Sequence, residues 1–212
     1  MKKPIFTLII ILLLLSACNS SRTEAKTTES TTTQEELNMK NSTDTSKILV
    51  VYFSCTGITR AVAAHIADEL NTQAAIAELH EIKPEVPYTS NDLNWRDNSS
   101  RASKENADTS SRPSISGSVQ NMENYNIVFI GYPIWWGQAP KIVYTFMESY
   151  DFSGKTIVPF CTSGSSGVGS SAANLQKICS SNTVWLPGIR FAANASRSSV
   201  KKWLDEFDFL GE

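Results

Sequence analysis

The feature that most constrains the fold is a repeated switch between two hydrophobic periods. Residues 47–54 (KILVVYFS) form a nearly continuous apolar run, rich in β-branched and aromatic residues, which is typical of a strand buried on both faces. The next apolar residues recur four positions apart, as on the buried side of a helix: Ile58, Val62, Ile66 and Leu70. A buried strand followed directly by an amphipathic helix predicts a βα unit.

The same alternation continues along the chain. Further strands are predicted at residues 74–79, 126–131, 155–160 and 183–186, and further helices at 139–150, 168–178 and 200–207. Residues 82–124 are rich in Pro, Ser, Asn and Asp and predict a long polar connection with a helix around residues 99–107. This pattern predicts an α/β fold with a doubly wound, five-stranded parallel sheet in the order 2-1-3-4-5 and helices on both faces.

In such a sheet, ligands bind beyond the carboxyl ends of the strands, where the winding direction changes. With the predicted order, the loops after strands one, three and four meet at that edge. The first loop is small and rich in hydroxyl groups: Ser54, Cys55, Thr56, Gly57, Ile58 and Thr59. Backbone N–H groups at a helix N-terminus, with Ser and Thr hydroxyls, can hold a phosphate. The alternative is an ordinary helix cap.

The second loop, residues 131–140 (GYPIWWGQAP), contains two adjacent tryptophans at the end of a strand. Exposed aromatic residues in a turn indicate a ligand or a partner. A ligand with a planar aromatic ring is expected to stack against these tryptophans. One of the two tryptophans is expected to pack beneath the loop. The third loop, residues 161–167 (CTSGSSG), is flexible and can place peptide N–H groups against a flat heterocycle. Its alternative is a generic connection.

Together these segments resemble the flavodoxins, in particular the branch that carries a G-x-P-I-W-W-G segment. The matching stretches are FSCTGITR, GYPIWWGQAP and PFCTSGSSG, supported by residues 147–151 and Gly154-Lys155, and the likeness spans residues 47–209. The resemblance implies a flavodoxin-like fold that binds FMN. The residues of the first loop would hold the phosphate. The isoalloxazine would contact Pro133, Ile134, Trp135, Trp136 and Gly137 on one side, and Thr162, Ser163, Gly164, Ser165 and Gly167 at its other edge.

Two positions depart from the pattern of the family. Ile58 stands where the phosphate loop usually has Asn, and the third loop has Ser163 at the start of a segment that often reads H-G-G-S-G. A binding module that has kept the fold but lost FMN therefore remains one alternative. No D-G-x-[ST]-G-A-T flavinylation motif is present, so non-covalent binding is expected.

The first 46 residues predict a targeting segment and not a folded domain. A basic start, an apolar run over residues 5–15 and the segment Leu15-Ser16-Ala17-Cys18 resemble a bacterial lipoprotein signal, with Cys18 as the lipid acceptor. The alternative is an ordinary secretory signal. Residues 19–46 contain eight Thr and five Ser and predict a disordered tether. The predicted organisation is a signal peptide (1–17), a lipidated cysteine with its tether (18–46) and an FMN-binding domain (47–212).

This predicted location at the membrane favours one function over another. A lipid-anchored protein on the extracytoplasmic face of the cell membrane meets little NAD(P)H. We therefore expect an electron carrier that exchanges electrons with a redox partner protein or the membrane quinone pool. The alternative is an FMN-dependent oxidoreductase that reduces quinone-like small molecules. The third loop has no aromatic residue, so one ring face should be open unless Tyr88 or Trp95 covers it.

Charge and composition exclude other classes. Nineteen Lys and Arg residues against 21 Asp and Glu give a formal net charge of −2, so there is no basic excess for binding nucleic acid. Two His and four Cys in no metal-ligand spacing predict no metal site. Cys55, Cys161 and Cys179 are predicted to be unpaired, because their expected positions in the fold lie too far apart for a disulfide.

Overall fold

The computed structural model describes residues 47–73 and 75–207. The strands in this part of the chain are β1 (Lys47–Tyr52), β2 (Ile76–Glu81), β3 (Lys83–Pro84), β4 (Ile115–Ser116), β5 (Ile127–Pro133), β6 (Thr156–Thr162), β7 (Val184–Trp185) and β8 (Ile189–Phe191). The helices are α1 (Ile58–Thr72), α2 (Arg101–Ala107), α3 (Lys141–Glu148), α4 (Ser171–Gln176) and α5 (Arg197–Leu204), with a 3₁₀ turn at Met122–Asn124. None of these helices is both long and apolar enough to cross a bilayer. The predicted signal, Cys18 and the tether lie outside the described residues.

The main sheet is parallel and runs in the order β2-β1-β5-β6-β7, so the predicted order 2-1-3-4-5 is confirmed. Its fifth position holds two short strands, since β7 pairs with the start of β6 and β8 with its end. Pro159 of β6 has no N–H to donate, and the fifth strand is interrupted between Trp185 and Ile189, opposite this residue. The sequence had predicted a single strand here.

Alternation along β1 divides the core into two layers. Leu49, Val51 and Phe53 face the cluster that contains α3 and Leu175 of α4. Ile48, Val50 and Tyr52 face the cluster that contains α1 and α5. Each fully buried side chain of this size contributes roughly 1.5–3 kcal/mol through the hydrophobic effect. The sheet is therefore covered on both faces, as predicted.

The edge strand β2 begins two residues later than predicted. Lys47 pairs with Ile76, and the register continues to Tyr52 opposite Glu81. The predicted boundaries followed the apolar residues near position 75, but an edge strand tolerates polar ones. Glu78 of β2 is exposed on this edge and accepts a hydrogen bond from the hydroxyl of Tyr125 (2.7 Å).

The long connection between β2 and β5 is folded. β3 and β4 form a small antiparallel pair, and the predicted helix is α2, whose N-cap Ser100 accepts a hydrogen bond from the N–H of Ser103. Residues before and after α2 in the chain pack into the core cluster that contains α3. They are Ile82, Val119, Met122 and Tyr125. This attachment places residues 88–102 beside the carboxyl ends of β1 and β5.

Candidate functional site

A cavity of about 370 Å³ opens at the carboxyl edge of the sheet. It is lined by the first loop, the second loop and the connection before α2: Ser54, Cys55, Thr56, Thr59, Leu93, Trp95, Ala102, Pro133, Ile134, Trp135 and Trp136. None of these side chains carries a formal charge. The cavity lies where the doubly wound topology places ligands, and its volume lies within the range of small-molecule sites.

The first loop leads directly into an uncapped helix. Gly57 is the N-cap residue of α1, with φ of 83°, and no side chain caps the helix. The first intrahelical bond runs from the N–H of Ala61 to the carbonyl of Gly57 (3.0 Å). The N–H groups of Ile58, Thr59 and Arg60 therefore have no acceptor within the helix. Such a terminus is suited to binding an anion.

Ser54 provides a test of whether the cavity fits a ligand. Its hydroxyl oxygen is buried and has no hydrogen-bond partner among the described residues, although Ser54 lines the cavity. Leaving a buried polar group unsatisfied costs about 1–3 kcal/mol. A ligand oxygen bound in the cavity would remove this cost, so the first loop fits a phosphate group.

Thr59 and Thr162 connect the first and third loops beneath the cavity. Their hydroxyl oxygens are 2.8 Å apart in a buried hydrogen bond. The N–H of Ile134 donates to the carbonyl of Thr162 (3.0 Å), which also joins the second loop to the end of β6. Thr162 is thus a structural link between the three loops.

The second loop is a tight turn that holds Trp136 at its tip. Trp135 and Gln138 exchange two backbone hydrogen bonds of 2.9 Å, and the residues between them, Trp136 and Gly137, have φ of 46° and 76°. Positive φ at both central positions is the pattern of a type I′ turn. A bulky residue in this conformation is strained, and such strain is concentrated at functional sites. The side chain of Trp136 remains 43% exposed.

Side chains of α4 and of its N-cap residue, Ser170, fix the orientation of this turn. The amide nitrogen of Gln138 donates to the hydroxyl of Ser170 (2.9 Å), and Asn174 donates to the amide oxygen of Gln138 (2.7 Å). The amide nitrogen and the amide oxygen of Gln138 therefore both hold the turn against the start of α4.

Trp135 packs below the turn, in agreement with the expectation that one of the two tryptophans does so. Its ring makes edge contacts with Phe53 (centroids 5.7 Å apart) and Tyr88 (5.6 Å apart). The hydroxyl of Tyr88 donates to Glu105 (2.6 Å), and the guanidinium of Arg101 lies over the Tyr88 ring (3.9 Å). Tyr88 thus supports the floor of the cavity.

Three lining residues come from the connection before α2 and were not among the predicted cofactor-binding residues. These are Leu93, Trp95 and Ala102. Trp95 is 63% exposed, and the guanidinium of Arg96 lies 4.5 Å from the centre of its ring. The signal in the sequence was an aromatic residue in an otherwise polar segment. The sequence analysis named Trp95 only as a residue able to cover the open face of the ring.

None of the predicted residues of the third loop, Thr162 included, lines this cavity. Ser163, Gly164, Ser165 and Gly167 follow Thr162 on a loop that Arg190 of β8 holds. The guanidinium of Arg190 donates to the carbonyls of Ser163 (3.0 Å) and Gly164 (3.2 Å). The assignment of these four residues to the flavin edge stays a prediction.

The thiols near the site are protonated at neutral pH. Burial raises the pKa of Cys55 to about 12, and burial raises the pKa of Cys161 to about 11. Cys55 therefore adds no negative charge beside the uncapped end of α1. Within the described residues, Cys55, Cys161 and Cys179 are free thiols.

Comparison with known proteins decides the family. Residues 47–207 match the family model described as flavodoxin. The chain belongs to the flavodoxin family. The family and the fold expected from the sequence are thus confirmed. Among curated proteins, no significant match is found.

Two solved structures are similar to this flavodoxin over nearly their whole length. An inferred flavoprotein from Bacteroides eggerthii DSM 20697 is 42% identical, covering 76% of this chain and 97% of that chain, with a TM-score of 0.69. An inferred flavoprotein from Bacteroides uniformis ATCC 8492 is 40% identical, covering 76% and 98%, with a TM-score of 0.70. A flavoprotein from Lactobacillus acidophilus NCFM, solved in complex with FMN, shares the fold at 22% identity, covering 75% and 99%, with a TM-score of 0.55.

Proposed function

We propose that this flavodoxin binds FMN without a covalent bond and carries electrons at the extracytoplasmic face of the cell membrane, anchored through Cys18. The observation that carries the FMN assignment is the buried, unpartnered hydroxyl of Ser54 beside the uncapped N-terminus of α1. Family membership and the FMN complex of the Lactobacillus acidophilus flavoprotein support the same cofactor. The sequence of residues 1–18 supports the location.

In this proposal each part of the cavity has a separate role. The N–H groups at the start of α1 and the Ser54 hydroxyl hold the phosphate. Replacement of the usual Asn by Ile58 leaves the backbone N–H groups of the loop in place. The apolar walls and Trp136 bind the flat ring and exclude water from it. FMN, when bound, supplies one- and two-electron redox chemistry, and the protein positions it and sets its electrostatic surroundings.

A second candidate function is an FMN-dependent oxidoreductase that acts on quinone-like molecules. The observation that favours it is the exposure of Trp95 and Trp136, both of which line the cavity while remaining accessible to solvent. A flat aromatic substrate could stack against either ring. The third loop contributes no aromatic residue that would compete with such a substrate.

The two candidates differ in their electron donors and acceptors. The FMN-loaded full chain is mixed anaerobically with NADPH or with a menaquinol analogue, and flavin absorbance is followed. For a carrier we expect reduction by the menaquinol analogue, little reduction by NADPH, and slow transfer from reduced protein to a small quinone. Rapid NADPH oxidation coupled to turnover of a small quinone would replace the carrier by the oxidoreductase. A chain that takes up no FMN would leave only the binding module.

A further inference from the structure

Arginines in the described part of the chain differ in their partners. Three pair with carboxylates: Arg101 with Glu105, Arg112 with Glu148, and Arg197 with Glu69. Arg60 makes no ion pair and no side-chain hydrogen bond with any described residue. It follows the first loop directly, and the loop itself contains no Lys or Arg.

The side chain of Arg60 folds back toward the start of its own helix. Its Nη2 atom lies 3.6 Å from the position that a Cβ atom would occupy on Gly57, the N-cap residue. The N-terminus of a helix carries a partial positive charge, so a cation there is disfavoured unless an anion accompanies it. The guanidinium thus lies at a terminus that favours negative charge.

Among the described residues, no acidic side chain forms an ion pair with this guanidinium. The first turn of α1 contains no acidic residue. Burial raises the pKa of Tyr52, and Glu81 and Arg60 act on the same hydroxyl with opposite signs, but Glu81 forms no ion pair with Arg60. An unpaired guanidinium, unpaired helix N–H groups and an unpartnered Ser54 hydroxyl therefore adjoin the same loop.

We propose that Arg60 recognises the phosphate of the cofactor and makes the site selective for FMN over unphosphorylated riboflavin. This inference rests on the proposed function. A guanidinium binds phosphate oxygens through charge-assisted, often bidentate, hydrogen bonds. Such bonds offset the side-chain bonds that are missing where Ile58 replaces the usual Asn.

The test compares two ligands that differ only in the phosphate. The full chain and its variants Arg60→Gln and Arg60→Lys are titrated with FMN and with riboflavin, and flavin fluorescence gives each Kd. Lys47→Gln is the control, because it removes one positive charge at the other end of β1. That end is about 20 Å away at ~3.3 Å per residue, beyond the Debye length of about 10 Å at 0.1 M salt.

For Arg60→Gln we expect about tenfold weaker FMN binding, no change in riboflavin binding, and a weaker dependence of the FMN Kd on salt. Arg60→Lys should recover part of the affinity, and Lys47→Gln should bind both ligands as the unaltered chain does. The inference is overturned if Arg60→Gln binds FMN normally, or if it loses FMN and riboflavin affinity equally. If the unaltered chain binds neither flavin, the proposed function fails, and with it this inference.

Discussion

Two serine hydroxyls, one lining the cavity and one at the start of α4, differ in whether they have partners. The Ser54 hydroxyl is buried without one. The Ser171 hydroxyl donates to the carbonyl of Val168 (2.5 Å) and lies 3.0 Å from the hydroxyl of Tyr132. A satisfied hydrogen bond contributes about 0.5–1.5 kcal/mol to stability, whereas an unsatisfied buried group costs about 1–3 kcal/mol. The same substitution should therefore have opposite effects at these two positions.

We expect Ser54→Ala to raise the free energy of unfolding of the FMN-free protein by about 1 kcal/mol, because it removes the unsatisfied hydroxyl. The same change should weaken FMN binding about tenfold, because the phosphate loses a donor. Ser171→Ala should instead lower stability by about 1–2 kcal/mol. Urea unfolding without FMN and fluorescence titration with FMN measure the two effects. A stability loss in Ser54→Ala as large as that in Ser171→Ala would contradict this account of Ser54.

At the scale of elements, the turn after β5 depends on its backbone conformation. Gly137 and Gly164 both have open space around the position of a Cβ atom. Only Gly137 has a positive φ, at 76°. A Cβ atom at Gly137 therefore meets no neighbouring atom but makes the left-handed conformation unfavourable, whereas at Gly164 it does neither.

We expect Gly137→Ala to lower the free energy of unfolding by about 1 kcal/mol, the balance of conformational strain against reduced freedom in the unfolded chain. Gly164→Ala should leave stability unchanged or raise it slightly. Chemical denaturation of both variants without FMN provides the comparison. Equal effects at the two positions would show that the conformation of the turn does not limit stability.

The central elements could be predicted from the sequence because their patterns are local. The run in β1 and the spacing of Ile58 and Ile66 in α1 each indicate one structure, and the α/β alternation then restricts the topology. The edge strands of the sheet could not be predicted in the same way. The limits of β2 depend on its register with β1, and the interruption between β7 and β8 lies opposite Pro159 of a neighbouring strand.

The candidate site, too, could be predicted only in part from the sequence. The first and second loops were predicted correctly as neighbours, because each follows a strand whose position in the sheet could be inferred. The cavity's third wall, with Leu93 and Trp95, comes from a connection whose path depends on tertiary packing of residues such as Met122 and Tyr125. No local pattern in that connection indicated where it would pack.

At the scale of the whole molecule, the proposed location depends on Cys18. A diacylated cysteine provides two acyl chains, which is enough for stable membrane anchoring. We expect Cys18→Ala to move the protein from the membrane fraction to the soluble fraction, while FMN binding stays the same. Fractionation followed by immunoblotting measures the distribution. If the variant stays entirely with the membrane, the anchor is not the lipid on Cys18.

The most direct test of the central claim is a fluorescence titration of the purified full chain with FMN. The account predicts saturation at about one FMN per chain, with loss of both flavin and tryptophan emission, because the ring binds against the tryptophan turn. Trp136→Ala should bind FMN more weakly and quench it less. If excess FMN leaves both emissions unchanged, the cavity is not a flavin site and the assignment is wrong.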